Sequence, residues 1–127
     1  MITVLPEKDE NVIKEYFNKS GLVFDENSRL VIAKSGEEVL GYCAFRIENE
    51  TVTVLDLEPK EDILLADGVL RSALHVAAEA FIFKANYDNP DLEKLFTAID
   101  FIKDSREKSL NMDKLFGGCC CGGKDKK

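Results

Sequence analysis

Three consecutive cysteines near the C-terminus are the most reactive side chains that this sequence places together. Cys119, Cys120 and Cys121 stand between two glycine pairs, and a lysine-rich end follows them. Ammonium groups favour the thiolate form, so the segment predicts thiol exchange or the capture of a soft metal ion. Adjacent cysteines lack the spacing with which C-x-x-C pairs meet one tetrahedral zinc ion, so no zinc site is predicted. The alternatives are an interaction tail and a segment without a specific role.

The remaining cysteine and the single histidine offer less chemistry. Cys43 lies in an apolar, strand-like run and is interpreted as a small buried residue. His75 shares the polar side of a predicted helix with Arg71 and Glu79, which is typical of a surface residue. The cysteine spacing does not match a disulfide framework. Neither residue is predicted to take part in catalysis.

Length and charge restrict the class of protein. The chain has 127 residues, of which 45% are apolar, enough for one domain with a core. No apolar run reaches the length of a membrane span and no secretory leader is visible, so a cytoplasmic protein without membrane contact is expected. The formal net charge is -7, and the acid excess in residues 1–101 disfavours nucleic-acid binding. A charged partner would be a small-molecule amine or a basic peptide, although surface acids also serve solubility alone.

The elements that must position any site begin with strands. Residues 1–5 predict a short strand that Pro6 ends. Three β-rich runs separated by turn residues predict an antiparallel meander, at residues 29–34, 39–47 and 51–57. The nearly continuous apolar run AFIFKA, residues 80–85, predicts a strand with both faces covered. A closing hairpin is predicted from residues 101–103 and 110–116.

Three helices alternate with these strands. Residues 9–19 carry apolar side chains on one face, and residues 64–80 carry a wide apolar stripe with small residues that permit close approach to a sheet. The third helix is predicted at residues 90–99, with Asn89 as its N-cap. The predicted order is β, α, β, β, β, α, β, α, β, β. One domain is expected over residues 1–116, followed by a flexible tail at residues 117–127.

The third helix carries the most informative pattern. Residues 89–101 read NPDLEKLFTAIDF and resemble, in spacing, the N-x-x-A-x-x-L-Y-x-x-x-G-F signature of the GNAT superfamily of N-acetyltransferases. Residues 38–44 (EVLGYCA) resemble the third strand of that family, and residues 55–59 (LDLEP) resemble its fourth strand. With the order of elements, these motifs make residues 1–116 similar to a GNAT domain.

The resemblance implies an α+β fold. Its sheet would be mixed, mainly antiparallel, of six to seven strands, flanked by helices and splayed between the fourth and fifth strands. In that family the pantetheine arm of acetyl-CoA lies in the opening and pairs with strand backbone, and the pyrophosphate lies on a glycine-bearing loop. The residues implied to contact the cofactor are Leu55, Leu57, Gly68, Val69, Leu70 and Asn89.

The sequence departs from the family where chemistry takes place. Phe96 stands where many members have a tyrosine that gives a proton to the leaving thiolate, and Tyr87 is the nearest alternative hydroxyl. The pyrophosphate loop keeps Gly68 but loses its basic residue, and acids surround it: Glu61, Asp62 and Asp67, with Lys60 as partial compensation. Unit charges about 4 Å apart at an effective dielectric of 20 interact by roughly 4 kcal/mol, so these carboxylates weaken the binding of a polyanionic cofactor.

Two acids of the fourth strand are the candidate bases that would deprotonate an amine. Glu50 opens this strand and Asp56 lies in its second half, although both positions are also typical of solvated or turn residues. Two functions follow: an acetyl-CoA-dependent N-acyltransferase acting on an unidentified primary amine, or a catalytically silent GNAT-like scaffold whose cysteine tail binds a metal or a partner. A third interpretation is an α+β domain that resembles the family by coincidence.

Overall fold

The predicted meander forms the centre of one sheet. The computed structural model describes residues 2–104 and 106–112. Within them the strands are β1 (Ile2–Pro6), β2 (Ser28–Ser35), β3 (Glu38–Glu48), β4 (Thr51–Glu58), β5 (Ala85–Tyr87), β6 (Ile102–Asp104) and β7 (Ser109–Leu110). The helices are α1 (Glu10–Lys19), α2 (Ile63–Glu79) and α3 (Glu93–Ala98), the last preceded by a 3-10 turn, Pro90–Leu92. The described strands form a seven-stranded sheet in the order β1-β2-β3-β4-β5-β7-β6.

The direction of the strands confirms the predicted fold class. All neighbouring pairs are antiparallel except β4 and β5, which are parallel because α2 connects them as a crossover. The result is a mixed, mainly antiparallel sheet flanked by helices. The predicted order of elements is also confirmed.

Apolar layers cover both faces of the sheet. The small and branched residues of α2 pack against one face, where Ala66, Ala73 and Ala77 let the helix approach closely and α3 adds Leu95 and Phe96. The shorter helix α1 covers part of the other face. Its Phe17 is fully buried, and burial of a side chain of this size contributes about 1.5–3 kcal/mol to stability.

The fifth strand lies later in the chain than the apolar pattern indicates. The prediction of a strand at residues 80–85 is wrong, because Ala80 caps α2 and only Ala85 belongs to β5. The apolar run spans a helix end and a turn, and its aromatic side chains point to solvent: Phe81 is 86% and Phe83 is 58% exposed. The predicted strand with both faces covered therefore does not form there.

One hydrogen-bond pattern ends each of the three described helices. After α2, the N–H of Phe81 donates to the carbonyl of Ala78 and the N–H of Ile82 donates to that of Ala77, which defines a Schellman cap. Equivalent bonds follow α1 and α3, and the left-handed residues at the three ends are Gly21 (φ 72°), Phe81 (φ 62°) and Asp100 (φ 60°). Glycine adopts this conformation freely, whereas a side chain strains it.

The C-terminal part of the sheet agrees in outline with the predicted hairpin. Asn89 is confirmed as an N-cap, since its Oδ1 accepts a hydrogen bond of 2.9 Å from the N–H of Asp91. Strands β6 and β7 pair as the closing hairpin, but the described part of its second arm is only Ser109–Leu110. Residues 113–116 of the predicted arm, and the predicted tail at 117–127 with its three cysteines, lie outside the described residues.

Candidate active site

The sheet opens where β5 ends. The parallel register joins Val52 to Ala85, Thr53 to Asn86 and Val54 to Tyr87. One further bond, from the N–H of Asp88 to the carbonyl of Val54 (3.1 Å), closes this pairing. Strand β4 continues through residues 55–58, of which residues 56–58 pair with β3 on one side and none has a partner in β5. Among the residues that the structure describes, this half of β4 therefore presents an open backbone edge.

A β-bulge lies at the start of the open edge. Phe45 pairs with Val54 and Ala44 pairs with Asp56, so Leu55 is the extra residue of β4. Val54 joins the core under α2, whereas Leu55 joins the core under α1. Asp56 also turns toward the α1 face, because its carboxylate accepts a hydrogen bond from Tyr42, which packs on that core. The bulge thus places an acid next to the opening, on the α1 side of the sheet.

Asp56 is held by a hydroxyl and an ammonium group. The Oη of Tyr42 donates to Asp56 Oδ2 (2.9 Å), and the Nζ of Lys60 donates to Asp56 Oδ1 (3.2 Å). The same Nζ also donates to Glu58 Oε2. Ser20 Oγ lies 3.1 Å from the Tyr42 Oη, and because Tyr42 gives its proton to Asp56, Ser20 is the donor of that bond. The Asp56 side chain is only 13% exposed.

These contacts fix the protonation states of the cluster. Burial, opposed by the Ser20 bond and reinforced by Asp56, raises the pKa of Tyr42 to about 12. Burial alone would lower the pKa of Lys60, but the hydrogen bond to Glu58 and the charge of Asp56 outweigh it and raise that pKa. At neutral pH Tyr42 is therefore a neutral donor and Lys60 is a cation.

A groove of about 290 Å³ adjoins this cluster. It runs between the last turns of α1 and the first half of β3, and its lining residues are Tyr16, Lys19, Val39, Leu40, Gly41, Tyr42 and Glu58. The rings of Tyr16 and Tyr42 meet edge to face, with centroids 5.1 Å apart. Gly41 allows β3 to approach the end of β4, because a Cβ there would lie 2.7 Å from Pro59 Cδ. The groove therefore combines apolar walls with one acid, Glu58, that belongs to the cluster.

The N-terminus of α2 follows the open edge directly. Asp62 is its N-cap, and its Oδ1 accepts a bond of 3.2 Å from the N–H of Leu65. Ile63 and Leu64 are 46% and 87% exposed. Gly68, with the fully buried Val69 and Leu70, lies beyond the first turn of α2, where N–H groups form the hydrogen bonds of the helix itself. The amides that this helix offers to a phosphate are therefore those of Ile63 and Leu64.

The two candidate bases lie at opposite ends of β4. Glu50 is exposed in the β3–β4 turn, where Asn49 and Glu50 have φ of 53° and 60°. At a rise of about 3.3 Å per residue, Glu50 and Asp56 are separated by roughly 20 Å along the strand. The structure therefore brings Asp56, and not Glu50, to the open edge.

Comparison with solved structures identifies this architecture. A GNAT-family acetyltransferase of Streptococcus pneumoniae superposes with a TM-score of 0.57 over 84% of this chain and 92% of the other, at 17% identity. The ribosomal-protein-S18-alanine N-acetyltransferase of Escherichia coli gives 0.58 over 82% and 79%, at 9% identity. A Bacillus subtilis acetyltransferase in complex with CoA gives 0.57 over 80% and 77%, at 12% identity. This chain has the GNAT fold. No protein-family model matches the sequence, and the search of curated proteins finds no match.

Three of the six residues that the GNAT resemblance predicts as cofactor contacts, Leu55, Leu57 and Asn89, lie at the opening. Leu55 and Leu57 lie on the open half of β4, with buried side chains, so their contribution to a ligand would come from the backbone. Asn89 follows β5 at the same end of the sheet, half-buried, with its Oδ1 used by the cap. The backbone of the open edge fits the amide groups of a pantetheine arm, because both supply unpaired donors and acceptors.

The tyrosine hydroxyl that many GNAT members carry in the third helix is missing at Phe96, and the nearest alternative, Tyr87 of β5, is engaged. Phe96 is fully buried and packs edge to face against Tyr87, with centroids 5.2 Å apart. The Tyr87 Oη donates to Glu93 Oε1 (3.1 Å), and burial together with this bond raises the pKa of Tyr87. Phe96 therefore serves packing, and Tyr87 is tied to a carboxylate.

Sequence reasoning missed three members of the Asp56 cluster: Ser20, Tyr42 and Lys60. Tyr42 reaches Asp56 only through the β3–β4 register and the bulge, neither of which the apolar pattern reveals. Ser20 arrives from the C-cap of α1. Lys60 carried a usable signal, since it follows Asp56 and Glu58 at short spacing, but the sequence favours a role in the phosphate loop rather than with these acids.

The remaining predictions for reactive groups concern Cys43 and His75. Cys43 is fully buried, and burial raises the pKa of its thiol. His75 is exposed on α2. Cys43 is thus confirmed as a small buried residue and His75 as a surface residue. Among the described residues, no helix is long and apolar enough to cross a membrane.

Proposed function

We propose that this chain is an acetyl-CoA-dependent N-acyltransferase that moves an acetyl group to a primary amine. The observation that carries the proposal is the open half of β4, where the bulge turns Asp56 toward the α1 face and Tyr42 of the groove wall donates to its carboxylate. The GNAT fold supports it, and so does the solved B. subtilis acetyltransferase of this fold in complex with CoA. The S18-alanine N-acetyltransferase shows that a protein of this fold acts on an amine.

The cofactor would be held mainly by backbone. Residues 55–58 of β4 would pair with the amides of the pantetheine arm, with Asn89 at the facing side. The pyrophosphate would lie at the start of α2, near the amides of Ile63 and Leu64, rather than at Gly68, Val69 and Leu70 as the motif predicts. The Asp62 carboxylate already accepts one first-turn hydrogen bond there, so binding at this end would be weaker than in a loop with a basic residue.

Asp56 is the best base that the site offers. When bound, the cofactor would supply a thioester: a C–N bond would form to the amine as the C–S bond breaks, and the leaving thiolate would take up the proton that the attacking nitrogen gives up. An amine must first lose its own proton, and Asp56 would accept it directly or through a water molecule. Tyr42, a neutral donor at neutral pH, would hold Asp56 Oδ2 in place, and Oδ1, which accepts a hydrogen bond from Lys60, would face the amine once Lys60 has moved away.

Calorimetric titration with acetyl-CoA and with CoA tests the proposal. Both ligands are expected to bind one per chain, and at 100 times the dissociation constant each should raise the free energy of unfolding by roughly 2.7 kcal/mol. Acetyl transfer would then be measured on a panel of alkylamines and peptides with free amino groups. If neither ligand binds at millimolar concentration in low salt, the chain is not a CoA-dependent enzyme.

A catalytically silent scaffold is the second candidate. It is favoured by the buried Phe96 at the position of the family tyrosine and by the capping carboxylate of Asp62 at the phosphate end. This reading assigns the function to Cys119, Cys120 and Cys121, which lie outside the described residues. A variant with all three replaced by serine is then expected to fold normally and lose a thiol-dependent metal or partner interaction. Unchanged binding in that variant would remove the role of the tail.

A further inference from the structure

The geometry points to Lys60 as a built-in competitor of the acceptor amine. Its ammonium lies between Asp56 and Glu58, where the ammonium of an amine bound in the adjoining groove would lie. The inference rests on the proposed function only in calling that amine the acceptor. The occupancy of the position is a property of this chain and can be tested without any cofactor.

The contacts of Lys60 show what the position recognises. A primary ammonium has three donors and one charge, and this one is received by two carboxylates. Asp56 Oδ2 is engaged by Tyr42, so Oδ1 and the Glu58 carboxylate are the groups that hold the cation. The acids exceed the ammonium by one charge. If Lys60 moved away, the same oxygens would receive the ammonium of a ligand.

The groove supplies a path for such a ligand. Glu58 and Tyr42 belong both to the groove wall and to the cluster. Tyr16, Val39 and Leu40 offer apolar surface for an alkyl stem. Lys19, at the rim, lies over the Tyr16 ring and 3.7 Å from Glu15, so its charge is balanced on α1. The groove therefore favours an alkylammonium group over an anion.

Lys60 is placed so that it can leave. It stands just beyond the end of β4, after Pro59, and its side chain is 32% exposed. Partly exposed ion pairs contribute little to stability, so an incoming ammonium displaces Lys60 at small cost. A site that is free for a fraction of the time binds its ligand more weakly by that fraction. Removal of the Lys60 charge should therefore tighten amine binding.

The experiment titrates n-butylamine into the isotope-labelled full chain and follows the amide resonances of Leu40 and Gly41. Lys60→Met is compared with wild type and with Lys84→Met, which removes an exposed lysine just before β5. If Lys60 occupies the position nine-tenths of the time, Lys60→Met binds roughly tenfold tighter and Lys84→Met is unchanged. The double variant Glu58→Gln, Lys60→Met is expected to lose this increase in affinity for n-butylamine. The uncharged analogue n-butanol should not distinguish the variants.

Two results would overturn the inference: equal amine affinity in Lys60→Met and wild type, or an equal gain for n-butanol. Lys60→Gln repeats the test with a polar side chain in case the methionine variant folds poorly. In wild type, the Lys60 side-chain resonances must also shift as n-butylamine binds. Amine binding without acetyl-CoA binding would support this inference and contradict the proposed function. Acetyl-CoA binding without amine binding would contradict this inference and support the proposed function.

Discussion

The two ends of β4 carry similar residues and have different uses. At its first end Glu50 is exposed in a tight turn, and the strand that follows is paired on both sides, with β3 and with β5. At its second end the β5 partner is gone, a bulge has turned Asp56 toward the α1 face, and Tyr42 and Lys60 hold its carboxylate.

This difference shows what makes an acid a candidate for catalysis. Both residues are carboxylates, Glu50 in the turn before β4 and Asp56 within the strand, so residue type does not separate them. The separation comes from the pairing of the backbone around them, because a strand edge that lacks its neighbour leaves donors, acceptors and space for a ligand. The predictions below ask whether the second end of β4 has the properties that this comparison assigns to it.

The largest effect is expected from removal of the Asp56 charge. Asp56→Asn should lower the rate of acetyl transfer about 100-fold or more, because general-base catalysis contributes on the order of 10²–10⁴. Glu50→Gln, the matched change at the other end of the strand, should leave the rate unaltered. Steady-state rates with acetyl-CoA and the best amine of the panel measure both. Equal effects of the two substitutions would show that the ends of β4 are not functionally different.

The close approach of β3 to the second end of β4 predicts a loss of stability in Gly41→Ala. The new Cβ would lie 2.7 Å from Pro59 Cδ, and overpacking of this kind costs typically about 1–3 kcal/mol. Gly68→Ala is the matched control, because a Cβ at Gly68 meets nothing within 4 Å and the residue lies inside α2. Gly68→Ala should raise the free energy of unfolding by roughly 0.5–1 kcal/mol. Urea unfolding of both variants gives the two changes in the free energy of unfolding. An unchanged free energy of unfolding in Gly41→Ala would contradict the close contact.

The capping acid of α2 predicts a smaller effect on ligand binding. Asp62→Asn keeps an acceptor for the N–H of Leu65 but removes a negative charge near the expected pyrophosphate. Charges at helix ends are worth about 0.3–1 kcal/mol, so acetyl-CoA should bind roughly twofold to fivefold tighter. Glu50→Gln, in the turn at the opposite end of β4, controls for the change in net charge. A weaker affinity in Asp62→Asn would place the phosphates elsewhere.

A further expected effect is a dependence of stability on alkaline pH. The folded protein raises the pKa of Tyr42 from 10.0 to about 12. A raised pKa means that the contribution of the neutral form is fully present below pH 10 and is lost as the pH rises toward 12. Tyr42→Phe should therefore show a shallower loss of unfolding free energy over this range than wild type. Tyr16→Phe, which keeps the bond between Tyr42 and Asp56, should retain the wild-type slope.

The sequence was sufficient for the fold because the relevant signals are local. The β-rich runs of the meander, the apolar stripe of α2 and the Asn89 cap each depend on neighbours in the chain, and the structure confirms them. The prediction of the fifth strand was wrong for an equally local reason. Glycine is the usual sign of a helix that ends in a left-handed residue, and Gly21 gives that sign after α1. After α2 the same position holds Phe81, so an apolar residue conceals the end of the helix.

The candidate site was less predictable because its members meet only in three dimensions. Asp56 could be named from its place in the strand, but its surroundings depend on which residue is doubled in the β3–β4 ladder. A shift of one residue in that ladder would place Tyr42 and Asp56 on opposite faces of the sheet. Ser20 depends on the path that the chain takes after α1. Neither the register of the β3–β4 ladder nor the path of the chain after α1 can be obtained from the spacing of residue types.

The crossover between β4 and β5 also has a consequence for the order of folding. Strands β2, β3 and β4 are joined by short turns, so their contacts close small loops and we expect them to form early. Strand β5 joins β4 only after α2 has crossed the sheet, which requires a longer loop closure. Pulse-labelled hydrogen exchange during refolding should protect the amides of the meander before the amide of Asp88, which donates to the carbonyl of Val54 in β4. Simultaneous protection would contradict this order. If the meander is protected first, the opening lies at the boundary between a part of the molecule that folds early and a part that folds late.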